Sequence, residues 1–95
     1  MEQAVPTLRQ LEYLVAIADT RHFSRAAKRV HTTQSTLSLQ LKALEERLGV
    51  VLVERSARCV ALTEVGLQIS DIARLILRDA EMIRQIARAK RVGRP

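Results

Sequence analysis

A mainly α fold with one small β-hairpin is what this sequence predicts, and three observations predict it. Apolar residues make up 47% of the 95 but aromatic residues only 2%, so the core must be built from Leu, Ile, Val and Ala. Such a core favours helices packed on helices over a β-sandwich. Helix start and stop signals recur along the chain, and only VVLVERSARCVALT (residues 50–63) has the composition of strands.

The first helix opens at Thr7, with Pro6 just outside and Gln10 three residues on to complete a capping box. Leu8, Leu11, Leu14, Val15 and Ala18 form its inner face. It ends near Arg21, and Phe23 plugs the corner into the core. Ser24 caps a short second helix over residues 25–30, whose Ala26 and Ala27 are small enough to let another helix approach closely. His31 and Thr32 make a turn, Thr33 caps the third helix, and Gly49 stops it. Two β-rich runs, 51–53 and 59–62, then flank polar residues 54–58, with Arg55 and Arg58 at the hairpin tip. Thr63 caps a long final helix and Glu64 complements its dipole.

That last helix has a seven-residue repeat. Ile69, Ile76 and Ile83 recur at this interval, as do Ala73, Ala80 and Ala87, and Ile72 and Ile86 reinforce the stripe, which Asp79 interrupts. A helix of about 28 residues is roughly 42 Å long, more than so small a domain can bury. Packing on its own domain accounts for Val65 and Ile69 but not for Ile83 and Ile86. The expected partner of the stripe is the same helix of a second copy.

The net charge of +6 and pI of about 10.7 point to a polyanionic partner. Residues 1–20 hold one base and three acids, residues 21–63 eight bases and three acids, and residues 64–95 seven bases and four acids. The excess therefore concentrates on the second and third helices and the hairpin. A single cysteine, Cys59, excludes an internal disulfide framework and fits a reducing cytoplasm. Glu2 comes early and no long apolar run follows, so neither a leader nor a membrane span is expected. His22, His31 and Cys59 lack zinc-ligand spacing, and neither a glycine-rich phosphate loop nor a Ser/His/acid set can be defended. We expect no enzyme, no metal and no cofactor in this chain.

The third helix, TTQSTLSLQLKALEERLG over residues 32–49, carries the chemistry. Leu37, Leu41, Leu44 and Leu48 form its buried stripe, while Gln34, Ser35, Ser38 and Lys42 form a second stripe whose first members include no carboxylate. Two short helices joined by a tight turn, the second with an exposed polar face, describe a helix-turn-helix, whose second helix enters the DNA major groove. A glutamine amide donates and accepts at once, matching adenine N6 and N7, and hydroxyls bond bases or phosphates. A lysine one turn on supplies a phosphate contact that positions without reading sequence. Acids would be repelled there, and Glu45 and Glu46 come only further along. Simple solvation of a polar face is the alternative.

The run AAKRVHTTQSTLSLQLKALEERLGVVLVERSARCVALTEVG resembles the DNA-binding domain of the LysR-type transcriptional regulators. The likeness covers about residues 6–63, a winged helix-turn-helix with the helix-turn-helix at about 23–42 and the wing at about 51–62. Residues 64–91 are similar to the family's dimerising linker helix, and 92–95 would begin a hinge to an effector-binding domain beyond Pro95. The opening QLEYLVAIADTRHFSRAA is most similar to the peroxide-sensing branch. Sensing there belongs to cysteines of the C-terminal domain, so Cys59 reads instead as a packed wing residue.

The resemblance implies that Gln34, Ser35, Thr36 and Ser38 face the bases or adjacent backbone, and that Thr33, Ser24 and Lys42 touch phosphate. Arg55 or Arg58 would come from the wing, Arg58 being the better candidate for the minor groove. Ser35 replaces a usual proline, Leu39 stands where an arginine is common, and Val53 replaces a usual phenylalanine. The first two departures bear on the target sequence rather than on the mode of binding. The implied function is sequence-specific binding of double-stranded DNA by a cytoplasmic homodimeric regulator, with a tetramer open to the full-length protein. A small-molecule or redox effector would act only through the further domain. The seam would consist of Ile69, Ile72, Ala73, Ile76, Ala80, Ile83, Ile86 and Ala87. Competing readings are a weakly specific architectural DNA-binding protein and a plain oligomerisation module.

Overall fold

The computed structural model describes residues 5–56 and 59–92. Its order is α1 (Leu8–Thr20), α2 (Phe23–Arg29), α3 (Gln34–Leu48), β1 (Val53–Arg55), β2 (Val60–Leu62) and α4 (Glu64–Val92). This is a three-helix body with a hairpin wing, followed by a long helix.

The chain ends of the helices behave as their side chains dictate. Thr7 and Gln10 form the reciprocal capping box, each side chain taking the other's backbone N–H at 3.1 Å. Gly49 closes α3 in the left-handed region at φ 75°. The Thr63 hydroxyl accepts from Gly66 N–H at 3.0 Å and so opens α4. The second helix departs from expectation. It starts at Phe23, and its N-cap is His22, whose Nδ1 accepts from Arg25 N–H at 3.2 Å, in place of Ser24. Burying Phe23 at the α1–α2 corner draws that residue into the first turn and moves the cap back.

Leu14, Ile17, Leu37, Leu44 and Leu52 are fully enclosed, with Tyr13, Phe23, Ala26, Ala27 and Leu41 packed around them. The inner face of α1 is rotated from the expected one. Tyr13, Ala16 and Ile17 are buried, Val15 and Ala18 only half-buried, and Leu8 exposed. The reason is that α1 is enclosed from three directions, by α2, α3 and α4, so its buried surface is wider than one stripe. Ala26 and Ala27 are buried, as close helix approach requires.

The wing pairs Val53 with Leu62, Glu54 with Ala61 and Arg55 with Val60, antiparallel. Each strand begins later than expected, so Arg55 is a strand residue and not a tip residue. Cys59 is exposed, which corrects the packed role expected for it; its thiol has no core to enter beyond the paired residues.

Along α4 the faces divide. Ile69 packs against the body and is half-buried, and Ala73 is buried, so Ala73 adds no open surface to a seam and Ile69 only part of its own. Ile72, Leu75, Ile76, Met82, Ile83 and Ile86 are exposed, and every residue from Glu81 to Arg91 is exposed. Ala80 is half-buried and Ala87 exposed. The open stripe is thus turned toward Leu75 and Met82, which the seven-residue repeat did not single out.

One close approach holds α4 to the wing. A Cβ added at Gly66 would overlap the Leu52 carbonyl oxygen, which itself accepts from Thr63 N–H at 3.0 Å. We therefore expect Gly66→Ala to cost about 1–3 kcal/mol through overpacking against rigid backbone. Thermal melting checks this; an unchanged melting temperature would mean that the α4 start can shift freely.

Candidate nucleic-acid interface

The geometry of α3 begins at its cap. Thr33 is extended at φ −88°, ψ 158°, and its oxygen accepts from Thr36 N–H at 3.1 Å. The two hydroxyls also meet, Thr33 donating to Thr36 at 2.9 Å. Both threonines are thereby engaged in starting the helix. His31, in the preceding turn, sits in the left-handed region at φ 58°, as does Arg21 at φ 53°.

Past the cap, Leu37, Leu41 and Leu44 are buried, and this fixes what the other side presents. Gln34, Ser35 and Lys42 are exposed and Ser38 is half-buried, on one face. The polar stripe read from the sequence did not include Leu39, which was singled out there as standing where an arginine is common. Leu39 lies 68% exposed, four residues beyond Ser35 and three before Lys42, so its helical spacing was the available signal. No described acid interrupts these positions before Glu45, whose carboxylate is turned away to accept from Leu52 N–H at 2.8 Å and Val53 N–H at 3.2 Å.

The wing is tied to this face through Arg55. Its guanidinium lies 4.0 Å over the Phe23 ring and donates to Ser38 Oγ at 3.2 Å. Ser24, half-buried, lines a recess of about 400 Å³ with Arg21, His22, Gln34 and Arg55. Arg21 and His22 are additions to the expected basic edge, brought there by the α1–α2 turn. Arg58 lies outside the described residues. Ion pairs consume bases elsewhere: the Asp19 carboxylate takes Arg29 at 2.9 Å and Arg74 at 2.6 Å, joining α1, α2 and α4. Among the described residues no group of three or more His, Cys, Asp or Glu is placed to hold a metal, and no helix is long and apolar enough to cross a membrane.

Residues 8–67 match the family model described as "Bacterial regulatory helix-turn-helix protein, lysR family". The chain belongs to that family. Over 80 residues it is 48% identical to the DNA-binding transcriptional dual regulator OxyR of Escherichia coli K12, covering 84% of this chain and 26% of that protein. A full-length OxyR variant from Pseudomonas aeruginosa superposes with a TM-score of 0.86 at 44% identity, over 96% of this chain and 30% of the other. The CbnR_DBD–DNA complex matches with a TM-score of 0.78 at 41% identity, over 93% of this chain and 99% of that one. The chain thus spans about a quarter of the length of the OxyR relative, and its winged helix-turn-helix with a long following helix is the fold of the family's DNA-binding part.

The cap geometry yields a prediction. Thr33→Ala should cost about 1 kcal/mol of stability and Thr33→Ser little. Chemical denaturation of the two variants decides it; equal losses would mean that the threonine methyl, and not the hydroxyl, matters.

Proposed function

We propose that this chain binds double-stranded DNA sequence-specifically as a homodimer, and is the DNA-binding part of a cytoplasmic transcription regulator rather than an enzyme. The observation that carries this reading is the acid-free face of Gln34, Ser35, Ser38, Leu39 and Lys42 on α3. It belongs to a chain of net charge +6 that closely resembles a domain solved on DNA. In this reading α3 lies in the major groove and its first turn meets base edges. Gln34, Ser35 and Ser38 read or adjoin bases. Thr33, Thr36, Ser24 and Lys42 serve the helix entrance and the phosphates, and Arg55 and Arg58 serve the wing. The open stripe of Ile72, Ile76, Ile83 and Ile86, widened by Leu75 and Met82, packs on its counterpart in a second copy. Residues 92–95 lead toward an effector-binding domain, where any small-molecule or redox signal would act.

Gln34→Ala should cost roughly 1–3 kcal/mol per half-site and relax preference at one base position. Lys42→Ala should weaken all sequences about equally and lower the salt slope by about one per subunit. Binding titrations on sequences selected from a random duplex pool, at several salt concentrations, separate the two effects. A wild-type chain that enriches no sequence would leave the weakly specific architectural reading in its place.

Ile83 lies 69% exposed, remote from the core. Ile83→Asp should leave the melting of the body intact and abolish the dimer, because the seam would bury an unpaired charge. Sedimentation measures it, and an unchanged dimer mass would place the interface elsewhere.

A further inference from the structure

Arg55 is exposed, on a strand of the wing, and pairs with no carboxylate among the described residues. Its guanidinium is nevertheless held from two sides, stacked 4.0 Å over Phe23 and donating to Ser38 Oγ at 3.2 Å. A guanidinium only donates, so the Ser38 oxygen must be the acceptor in that bond. A hydroxyl has one proton, and in helices serine and threonine often return it to the carbonyl one turn back. Thr20 does so, donating to the Ala16 carbonyl at 2.8 Å. Ser38 does not: none of the described hydrogen bonds takes its proton. With one lone pair occupied by Arg55, the hydroxyl is polarised and its proton is free to be donated to a further acceptor.

We infer that Arg55 is a positioning residue that makes Ser38 a hydrogen-bond donor toward the major groove, so that Ser38 selects base edges presenting an acceptor. This rests on the DNA-binding reading above. The acceptors available in the groove are purine N7, guanine O6 and thymine O4, whereas the amino groups of adenine and cytosine must share the hydroxyl's lone pairs with Arg55 and are disfavoured. Phosphate oxygens are acceptors too. Base edges are favoured because Ser38 lies between Gln34 and Lys42 on the face of α3, beside Leu39, whose 68% exposed side chain suits a thymine methyl and not a phosphate. Stacking on Phe23 keeps the guanidinium at Ser38 without fixing it by a carboxylate, which would place negative charge beside the DNA.

The test is selection from a random double-stranded DNA pool by the wild-type chain and by Ser38→Ala, Arg55→Met, Arg55→Lys and the Ser38→Ala/Arg55→Met double variant. Methionine keeps an apolar stem over Phe23, and thermal melting establishes that each variant is folded. Should Arg55→Met not fold, Arg55→Lys carries the same comparison. Ser38→Ala should flatten preference at one base pair by about five-fold, the worth of one hydrogen bond. Arg55→Met should flatten the same pair to a similar extent with an unchanged salt slope, and the double variant should add nothing. Arg55→Lys keeps the charge but not the planar fork and should not restore the preference. Uniform weakening by Arg55→Met, with the salt slope lowered by about one per subunit, would make Arg55 a phosphate ligand and overturn the inference. So would a Ser38→Ala variant with unaltered preference. A wild-type chain that selects no sequence would instead remove the DNA-reading interpretation on which the inference rests.

Discussion

Leu52 is the residue through which the three parts of the molecule are held together. Its side chain is fully enclosed in the core. Its N–H is given to the Glu45 carboxylate on α3 at 2.8 Å, and its carbonyl receives Thr63 N–H at 3.0 Å at the start of α4. Gly66 lies against that same carbonyl, so close that no side chain fits. A buried peptide group must be satisfied on both sides or the fold bears its uncompensated desolvation cost. Here the satisfaction is supplied by α3 on one side and by α4 on the other. Helix α3, the wing root and the long helix α4 are therefore referred to one another through a single peptide stretch.

That arrangement decides what the exposed face of α3 can do. The Glu45 carboxylate is the first acid after Gln34 along α3, and its use by Leu52 and Val53 N–H groups removes it from the face that carries Ser38 and Lys42. Two requirements meet in one residue: a buried loop needs an acceptor, and a stripe proposed to face DNA needs to be free of negative charge. Arg55 then extends the same wing root to Phe23 and Ser38, so the wing and α3 share a second connection, on the solvent side of the first.

Much of this was legible in the sequence because caps and leucine stripes are local. Thr7, Gln10, Thr33, Gly49 and Thr63 act where their spacing placed them, and Leu37, Leu41 and Leu44 are buried. What could not be read depends on neighbours distant in sequence. Ile69 and Ala73 fit the seven-residue stripe of α4, yet α4 docks on α1 there, packing Ile69 against the body and burying Ala73. The inner face of α1 widens to Tyr13, Ala16 and Ile17 because three helices enclose it. Cys59 has the hydrophobicity of a packed residue, but a hairpin of three-residue strands offers little to cover it. The bond between Arg55 and Ser38 spans 17 residues, and no local pattern announces it.

The same non-locality shapes the electrostatics. From composition, all the bases of α2, α3 and the wing count equally toward a polyanion. The fold distinguishes them. Asp19 at the end of α1 takes both Arg29 and Arg74, with its side chain only 25% exposed. Pairs so near the surface are worth about 0–1 kcal/mol each, too little to explain the fold, so their consequence is mainly one of placement. They hold two guanidinium groups on the side where α1, α2 and α4 meet, and neutralise part of the charge there. Lys42 and Arg55 have no carboxylate partner among the described residues, and both sit on the edge with Gln34 and Ser38. A net charge spread over the surface would attract DNA in any orientation. Pairing Arg29 and Arg74 with Asp19, while Lys42 and Arg55 have no carboxylate partner among the described residues, gives the attraction a direction, and the direction is that of the α3 face proposed to read a base.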